Sequence, residues 1–138
     1  MSRFEVLVGT SDIDEMNHLN NQKYVYFMEK GRLDLYCRAG YSDVEMKERG
    51  LGVAVVEMTI QFLKEVALGE KLVIDTYPTR VGNSSFTLIQ DIYNEQRVLV
   101  SKATVISCIF DFKKRKSTSI PEDLRKFFEQ EMEKRTQG

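Results

Sequence analysis

Apolar and polar residues follow two different periods along this chain. Between residues 20 and 39, apolar residues recur every three or four positions, which is the period of a helix. Between residues 54 and 62, apolar and polar residues alternate, which is the period of a strand. Four more segments have the composition and flanking turn residues of strands. They are residues 3–9, 70–81, 84–94 and 97–112.

Two further helices are predicted from their end signals. Residues 42–50 begin with Ser42 as a capping residue and stop at Gly50. A short C-terminal helix begins at residues 119–122 and carries apolar residues on one face. Because short turns join the later strands, those strands pair antiparallel. We therefore predict one α+β domain over residues 1–138, a single sheet with helices on one side.

Two of the predicted strands carry signs of irregularity. Pro78 has no amide hydrogen to donate, so it weakens the pairing of its strand or places that part at a sheet edge. The segment 97–112 is long for a strand, and we expect a bend or bulge within it.

The long helix is apolar on most sides, and only a strip formed by Lys23, Lys30 and Asp34 is plainly polar. We therefore expect the helix to be buried on most sides, with a curved sheet wrapped around it. Gly31 lies in the middle of its main apolar stripe. Since glycine disfavours helix, we infer that the backbone of a strand approaches closely there. The stripe consists of Tyr24, Phe27, Met28, Gly31 and Leu35.

Composition narrows the class of protein. The 138 residues are 42% hydrophobic and 30% charged, with a net charge of −1, which is typical of a globular protein without a broad nucleic-acid-binding surface. No apolar run approaches the length of a membrane span, and we expect no membrane partner. Cys37 and Cys108 are far apart in apolar surroundings. We interpret them as reduced, buried thiols of a cytoplasmic protein.

Several common catalytic motifs are absent from the sequence. It contains no G-x-S-x-G elbow, no P-loop and no C-x-x-C pair. The single histidine, His18, excludes a multi-histidine metal site within one chain. We therefore expect neither a metal nor an organic cofactor.

Polar residues cluster just before the long helix. Asp14 precedes the helix start, where unpaired backbone amides carry a partial positive charge. Such amides stabilise a developing oxyanion, and a nearby carboxylate acts as a general base on water or as a nucleophile. Together they suffice to hydrolyse an activated acyl group. Alternatively, Asp14 and its neighbours Asp12, Asn17 and Asn20 are only capping and turn residues.

Glu29 and Arg32 lie one turn apart on the same flank of the long helix. Their simplest role is an intrahelical ion pair worth a few tenths of a kcal/mol. If that flank is an interface, the pair has a larger effect.

The segment SDIDEMNHLNNQKYVYFMEKGRLDLY, residues 11–36, resembles the signature of the 4-hydroxybenzoyl-CoA-thioesterase-like branch of the hotdog-fold acyl-CoA thioesterases. The strand entry RVGNSSFTLIQDIY, residues 80–93, and the closing helix IPEDLRKFF, residues 120–128, extend the resemblance over nearly the whole chain. The residues that match the signature are Asp14, His18, Asn20, Asn21, Tyr24, Glu29 and Arg32.

The resemblance implies a hotdog fold, in which an antiparallel sheet wraps around one long central helix. It also implies hydrolysis of acyl-CoA or acyl-carrier-protein thioesters, in sites shared between the subunits of a homodimer or homotetramer. By this resemblance Asp14 is the catalytic carboxylate, amides near Asn21 to Tyr24 polarise the thioester carbonyl, and His18 orients the loop or the substrate. Five residues are candidates for contact with coenzyme A, namely Arg80, Ser84, Ser85, Lys113 and Lys114.

The chain departs from the family pattern at three positions. Thr10 stands where an aromatic residue is common, and Ile13 where threonine is common. The resemblance therefore does not define the shape of the acyl pocket. Asn17 stands at the usual glycine, and asparagine tolerates a left-handed backbone better than most residues.

Two alternative hypotheses remain beside hydrolysis by Asp14. In the first, Glu29 on the long helix supplies the carboxylate, an arrangement that resembles another hotdog branch. In the second, the protein is a non-catalytic acyl-thioester-binding module.

Overall fold

The computed structural model describes residues 2–137, so Met1 and Gly138 of the predicted domain range lie outside the described residues. A short 3₁₀ turn, Thr10–Asp12, was not predicted. The strands are β1 (Ser2–Leu7), β2 (Leu51–Phe62), β3 (Lys71–Val81), β4 (Ser85–Tyr93), β5 (Leu99–Asp111) and β6 (Lys116–Ser117). The helices are α1 (Asn21–Arg38), α2 (Asp43–Glu48) and α3 (Glu122–Gln137).

The strands form one antiparallel sheet in the order β1-β3-β4-β5-β2, which confirms the predicted α+β class. The two-residue β6 pairs with the end of β5. Within residues 2–137, no strand pairs with the outer edge of β2.

Helix α1 lies across one face of this sheet and forms the centre of the core. The inner faces of β3, β4 and β5 contribute fully buried residues such as Ile74, Leu88 and Val105. Asn20 caps the helix, because its side chain accepts a hydrogen bond from the Gln22 amide. The α1 residues that are buried are Tyr24, Phe27, Met28, Gly31, Arg32, Leu35 and Tyr36.

The other side of α1 is open, so the expectation that this helix is buried on most sides is wrong for a single chain. Val25 and Tyr26 are 40% and 47% exposed. Cys37 is also exposed and Cys108 is half-buried, which corrects the prediction of two buried thiols; both are free. The reason is geometric, since the sheet of one chain covers only one side of the helix.

Gly31 is a position of close approach, as predicted, but side chains rather than strand backbone come near it. A Cβ added at Gly31 would lie 2.9 Å from Ile74 Cγ2, 2.9 Å from Thr76 Oγ1 and 3.1 Å from Gln90 Nε2. Any larger residue would therefore push α1 away from β3 and β4.

Both predicted strand irregularities are present. β1 pairs with β3 only as far as Thr76, so Pro78 lies beyond the end of β1, and the β3–β4 register shifts between Pro78 and Arg80. In β5 the register shift opposite Tyr93 leaves Val100 as the extra residue. The Val100 carbonyl instead accepts hydrogen bonds from the residues that follow β2.

Helix α3 has 16 residues and is longer than the short C-terminal helix that was predicted. Its buried Phe128 packs on Phe86 of β4, with ring centroids 4.8 Å apart. At its first turn, the Tyr41 hydroxyl donates a hydrogen bond to Asp123 (2.5 Å). Neither α3 nor any other helix within residues 2–137 is long and apolar enough to cross a membrane.

Candidate active site

Four residues named from the sequence, Asp14, His18, Asn21 and Tyr24, line one groove of about 280 Å³. The groove lies where α1 begins and where the chain leaves β2, and residues 62–66 form its other wall. Segments distant in sequence therefore meet at the predicted place. The Asp14 carboxylate is exposed to water at the edge of the groove.

A tight loop positions Asp14. Its amide donates to the His18 carbonyl (2.8 Å), and its Oδ1 accepts hydrogen bonds from the amides of Met16 (2.9 Å) and His18 (3.1 Å). Asn17 closes the turn with a φ of 67°, which is the left-handed conformation expected at the usual glycine position. Oδ2 takes no hydrogen bond from any of the residues 2–137, which leaves this oxygen available to substrate or water.

The start of α1 offers fewer amides than the sequence indicated. The Asn20 side chain occupies the Gln22 amide (2.9 Å), and the Asn20 carbonyl accepts from the Lys23 amide (2.9 Å). The Asn21 amide has no acceptor among residues 2–137. Asn21 is therefore the position in the first turn where a main-chain donor remains available to a ligand.

Tyr24 is buried in the wall of the groove. Its ring meets Phe62 edge to face, with centroids 5.1 Å apart, and its hydroxyl donates to the Lys64 carbonyl (3.4 Å). Burial, with a smaller effect from Glu70, raises the pKa of the Tyr24 hydroxyl. A neutral tyrosine here shapes the groove and does not act as a base.

Glu65 is a site residue that sequence reasoning missed. Its Oε2 lies 3.3 Å from His18 Nε2, and both residues line the groove. The contact depends on an isolated antiparallel bridge between His18 and Ala67, which no local pattern in the sequence signals.

Glu29 and Arg32 lie apart from this groove, in a second one of about 260 Å³ formed with Val53 and Val55 of β2. Arg32 is only 8% exposed, and its Nη1 donates to Gln90 Oε1 (3.0 Å). No ion pair between Glu29 and Arg32 is found within residues 2–137, so their predicted close pairing is replaced by a bond to Gln90. Burial is the main cause that lowers the pKa of Arg32, and nearby Glu29 acts in the opposite direction.

Gln90 is a second residue that the sequence did not single out. It is fully buried beneath α1, and its Nε2 donates to the Met28 carbonyl (2.7 Å) and to Thr76 Oγ1 (2.9 Å). Gln90 thus links the central helix to β3 and β4. The alternation of apolar and polar residues along β4 does not indicate this role, because it does not show which buried polar side chain bonds to α1.

The five candidate coenzyme A residues lie at the other end of the sheet. Ser85 pairs with Cys108 of β5, whereas the groove residue Phe62 pairs with Ser101. Seven residues of strand separate these two rows, which is about 23 Å. One chain therefore does not bring them to the groove. They are Arg80, Ser84, Ser85, Lys113 and Lys114.

No cluster of three or more His, Cys, Asp or Glu side chains suited to a metal ion occurs in the described part of the chain.

Comparisons with known proteins identify the family of this chain. Residues 8–128 match the family model described as the thioesterase-like superfamily. The acyl-CoA thioester hydrolase YbgC of Escherichia coli O6:H1 is 25% identical over 128 residues, which cover 93% of this chain and 96% of that protein. The putative acyl-CoA thioesterase YneP of Bacillus subtilis is 28% identical over 104 residues, 75% of each chain.

A solved structure confirms the hotdog fold. The hypothetical protein SAV2348 of Staphylococcus aureus, solved in complex with CoA, superposes with a TM-score of 0.91 at 18% identity, over 95% of this chain and 83% of that one. At this identity the likeness concerns the fold alone. Since the family match spans most of the sequence, the chain belongs to the thioesterase-like superfamily of hotdog-fold thioester hydrolases.

Proposed function

We propose that the protein hydrolyses the thioester bond of an acyl-CoA, or of an acyl group on a carrier protein, in the groove at the start of α1. The observation that carries the proposal is that Asp14 lines the same groove as Asn21, whose amide has no acceptor among residues 2–137. The names of the relatives YbgC and YneP, and the CoA bound to SAV2348, support coenzyme A as the thiol.

In the proposed mechanism, the Asn21 amide donates a hydrogen bond to the thioester oxygen as it becomes an oxyanion. The amides of Met16 and His18 donate to Asp14 Oδ1, so the loop fixes the orientation of the carboxylate and leaves Oδ2 free to act on water. Of the two roles open to Asp14, general base on water fits better than nucleophile, because its side chain is exposed to water. No metal or organic cofactor takes part in this scheme.

We further propose that the active form is a homodimer or homotetramer with sites shared between subunits. The outer edge of β2 is unpaired within residues 2–137, and apolar side chains beside it are exposed. If Arg80, Ser85 or Lys113 contacts coenzyme A, a neighbouring subunit supplies it, because each lies far from the groove of its own chain. The exposed apolar residues are Val25, Tyr26, Val55 and Val56.

A cytoplasmic location completes the proposal. It is supported by the two free cysteines, which are typical of a reducing compartment. Fractionation of cells that carry the tagged protein tests it, and recovery outside the cytoplasm would contradict it.

The function is tested by thiol release from a panel of aliphatic and aromatic acyl-CoAs and acyl-carrier proteins. Asp14→Asn should lower kcat by roughly 10²-fold or more, because it removes the base. Glu29→Gln should leave kcat close to that of the wild type, since Glu29 lies in the other groove.

The two alternatives give different results in the same assay. If Glu29→Gln abolishes turnover while Asp14→Asn does not, the carboxylate has been assigned to the wrong residue. Saturable acyl-CoA binding without any thiol release by the wild type would identify a binding module instead of an enzyme.

A further inference from the structure

Glu65 is a carboxylate in the groove to which the proposed mechanism gives no role. Its Oε2 lies 3.3 Å from Nε2 of His18. The main chain sets this proximity, because His18 bridges Ala67 and the Leu19 amide donates to the Val66 carbonyl (2.7 Å). The segment that carries Glu65 is thus held beside the loop that carries Asp14.

Three charged residues line the groove together with His18, namely Asp14, Lys64 and Glu65. Asp14 comes from its own loop, but Asp14 Oδ1 is occupied by two amides. Lys64 and Glu65 come from the facing segment, and of these Glu65 is the residue in contact with the ring. The Glu65 side chain is 79% exposed, so its attraction for His18 is weak as a source of stability. Glu65 lies beside Nε2, whereas Nδ1 has no partner among residues 2–137 and is available to substrate.

We propose that Glu65 is a positioning residue that orients His18 as the proton donor to the departing thiolate; this rests on the proposed thioester hydrolysis. Water adds to the acyl carbon, and Asp14 takes the proton that this water loses. The C–S bond then breaks, and the sulfur receives the proton from Nδ1 of the His18 imidazolium. His18 is then neutral and keeps its proton on Nε2, beside Glu65, and the proton on Asp14 returns to Nδ1 through solvent.

The leaving thiol provides a readout that a merely structural role would not affect. An alkyl thiol such as coenzyme A has a pKa near 8.5, so its departure at neutral pH benefits from protonation. A thiophenol or nitrothiophenol leaves as a stable thiolate and needs no proton. With the same acyl group on both thiols, only the coenzyme A ester should depend on the His18–Glu65 pair.

The test compares kcat and KM of Glu65→Gln on these two esters. We expect kcat for the coenzyme A ester to fall about tenfold, part of the roughly 10²–10⁴ typical of general acid–base catalysis. KM for this ester and kcat for the aryl ester should stay within twofold of the wild type. Glu65→Asp should restore part of the loss, and Glu65→Gln should add nothing in a His18→Gln background.

Glu15→Gln is the matched control. It removes an exposed carboxylate from the loop that carries Asp14, and Glu15 has no role in the groove. It should change neither ester. Equal loss on both esters for Glu65→Gln would show a structural role and overturn the proposal, as would no loss on either. An active Asp14→Asn variant would instead overturn the proposed function itself, so the two failures are distinguishable.

Discussion

Asn17 is a residue whose backbone conformation decides whether the active-site loop forms. Its φ of 67° allows the chain to turn from Asp14 to His18, so that the amides of Met16 and His18 both donate to the Asp14 carboxylate. Because the left-handed region disfavours β-branched residues, the side chain at this position affects the site without touching substrate.

Substitution of Asn17 should follow backbone preference. Asn17→Gly should retain kcat/KM, whereas Asn17→Val should lower both kcat/KM and the free energy of unfolding, the latter by about 1–2 kcal/mol. Thiol release and urea unfolding measure the two effects. Equal activity of the two variants would show that the turn does not position Asp14.

Gly31 makes a second prediction at the scale of single residues. Alanine favours helix over glycine by about 1 kcal/mol. In Gly31→Ala, however, the new methyl group meets buried atoms of Ile74, Thr76 and Gln90 at about 3 Å. We expect the cost of overpacking to exceed the gain in helix propensity, so that the free energy of unfolding measured in urea falls by about 1–2 kcal/mol. Gln22→Ala at an exposed position of α1 is the control, and a stabilised Gly31→Ala would contradict the close approach.

At the scale of elements, hydrogen bonds join the start of α3 to the turn before α2. Tyr41 donates to Asp123, and Arg49 Nη1 donates to the Tyr41 hydroxyl (3.0 Å). The hydrogen bond from Tyr41 is the main cause that lowers the pKa of the Asp123 carboxyl. A carboxyl whose pKa is lower in the folded state contributes stability above its unfolded pKa and loses it as pH falls through the folded pKa.

Tyr41→Phe should therefore be less stable than the wild type at pH 7, by about 1 kcal/mol because Asp123 is exposed. The difference should shrink as pH falls below about 4, the ordinary pKa of an aspartate, because the unfolded chain takes up a proton on Asp123 there while the folded wild type does not. Urea unfolding from pH 7 to pH 3 measures it. Tyr93→Phe is the control, since the Tyr93 hydroxyl has no hydrogen-bond partner in the described part of the chain. A difference independent of pH would show that packing alone is lost.

At the scale of the whole molecule, a single chain leaves apolar surface open beside its site. Val56 is the extra residue at the register shift of β2 and is 66% exposed on an unpaired edge. A charged residue on such an edge opposes pairing with a second copy.

Val56→Lys should convert the proposed oligomer to a monomer and lower kcat/KM at least tenfold, because the site would lose residues of the partner. Sedimentation and thiol release provide the measurements. Val44→Lys is the matched control, since Val44 is 65% exposed on α2. A wild-type monomer with full activity would contradict the shared site.

Residues close together in sequence determined much of this protein. Periodicity located the long helix and the main strands, short turns required antiparallel pairing, and the segment from Asp14 to Arg32 carried the family resemblance. These features are local, so their physical causes act within a few residues.

The tertiary structure decided which of those residues do what. It left the Asn21 amide without an acceptor, whereas Asn20 accepts hydrogen bonds from the amides of the next two residues. It also brought Glu65 to His18. It also joined Gln90 to α1 and exposed Cys37. The contacts of Glu65 and Gln90 join segments many residues apart, and a sequence pattern records such contacts only through the fold that creates them.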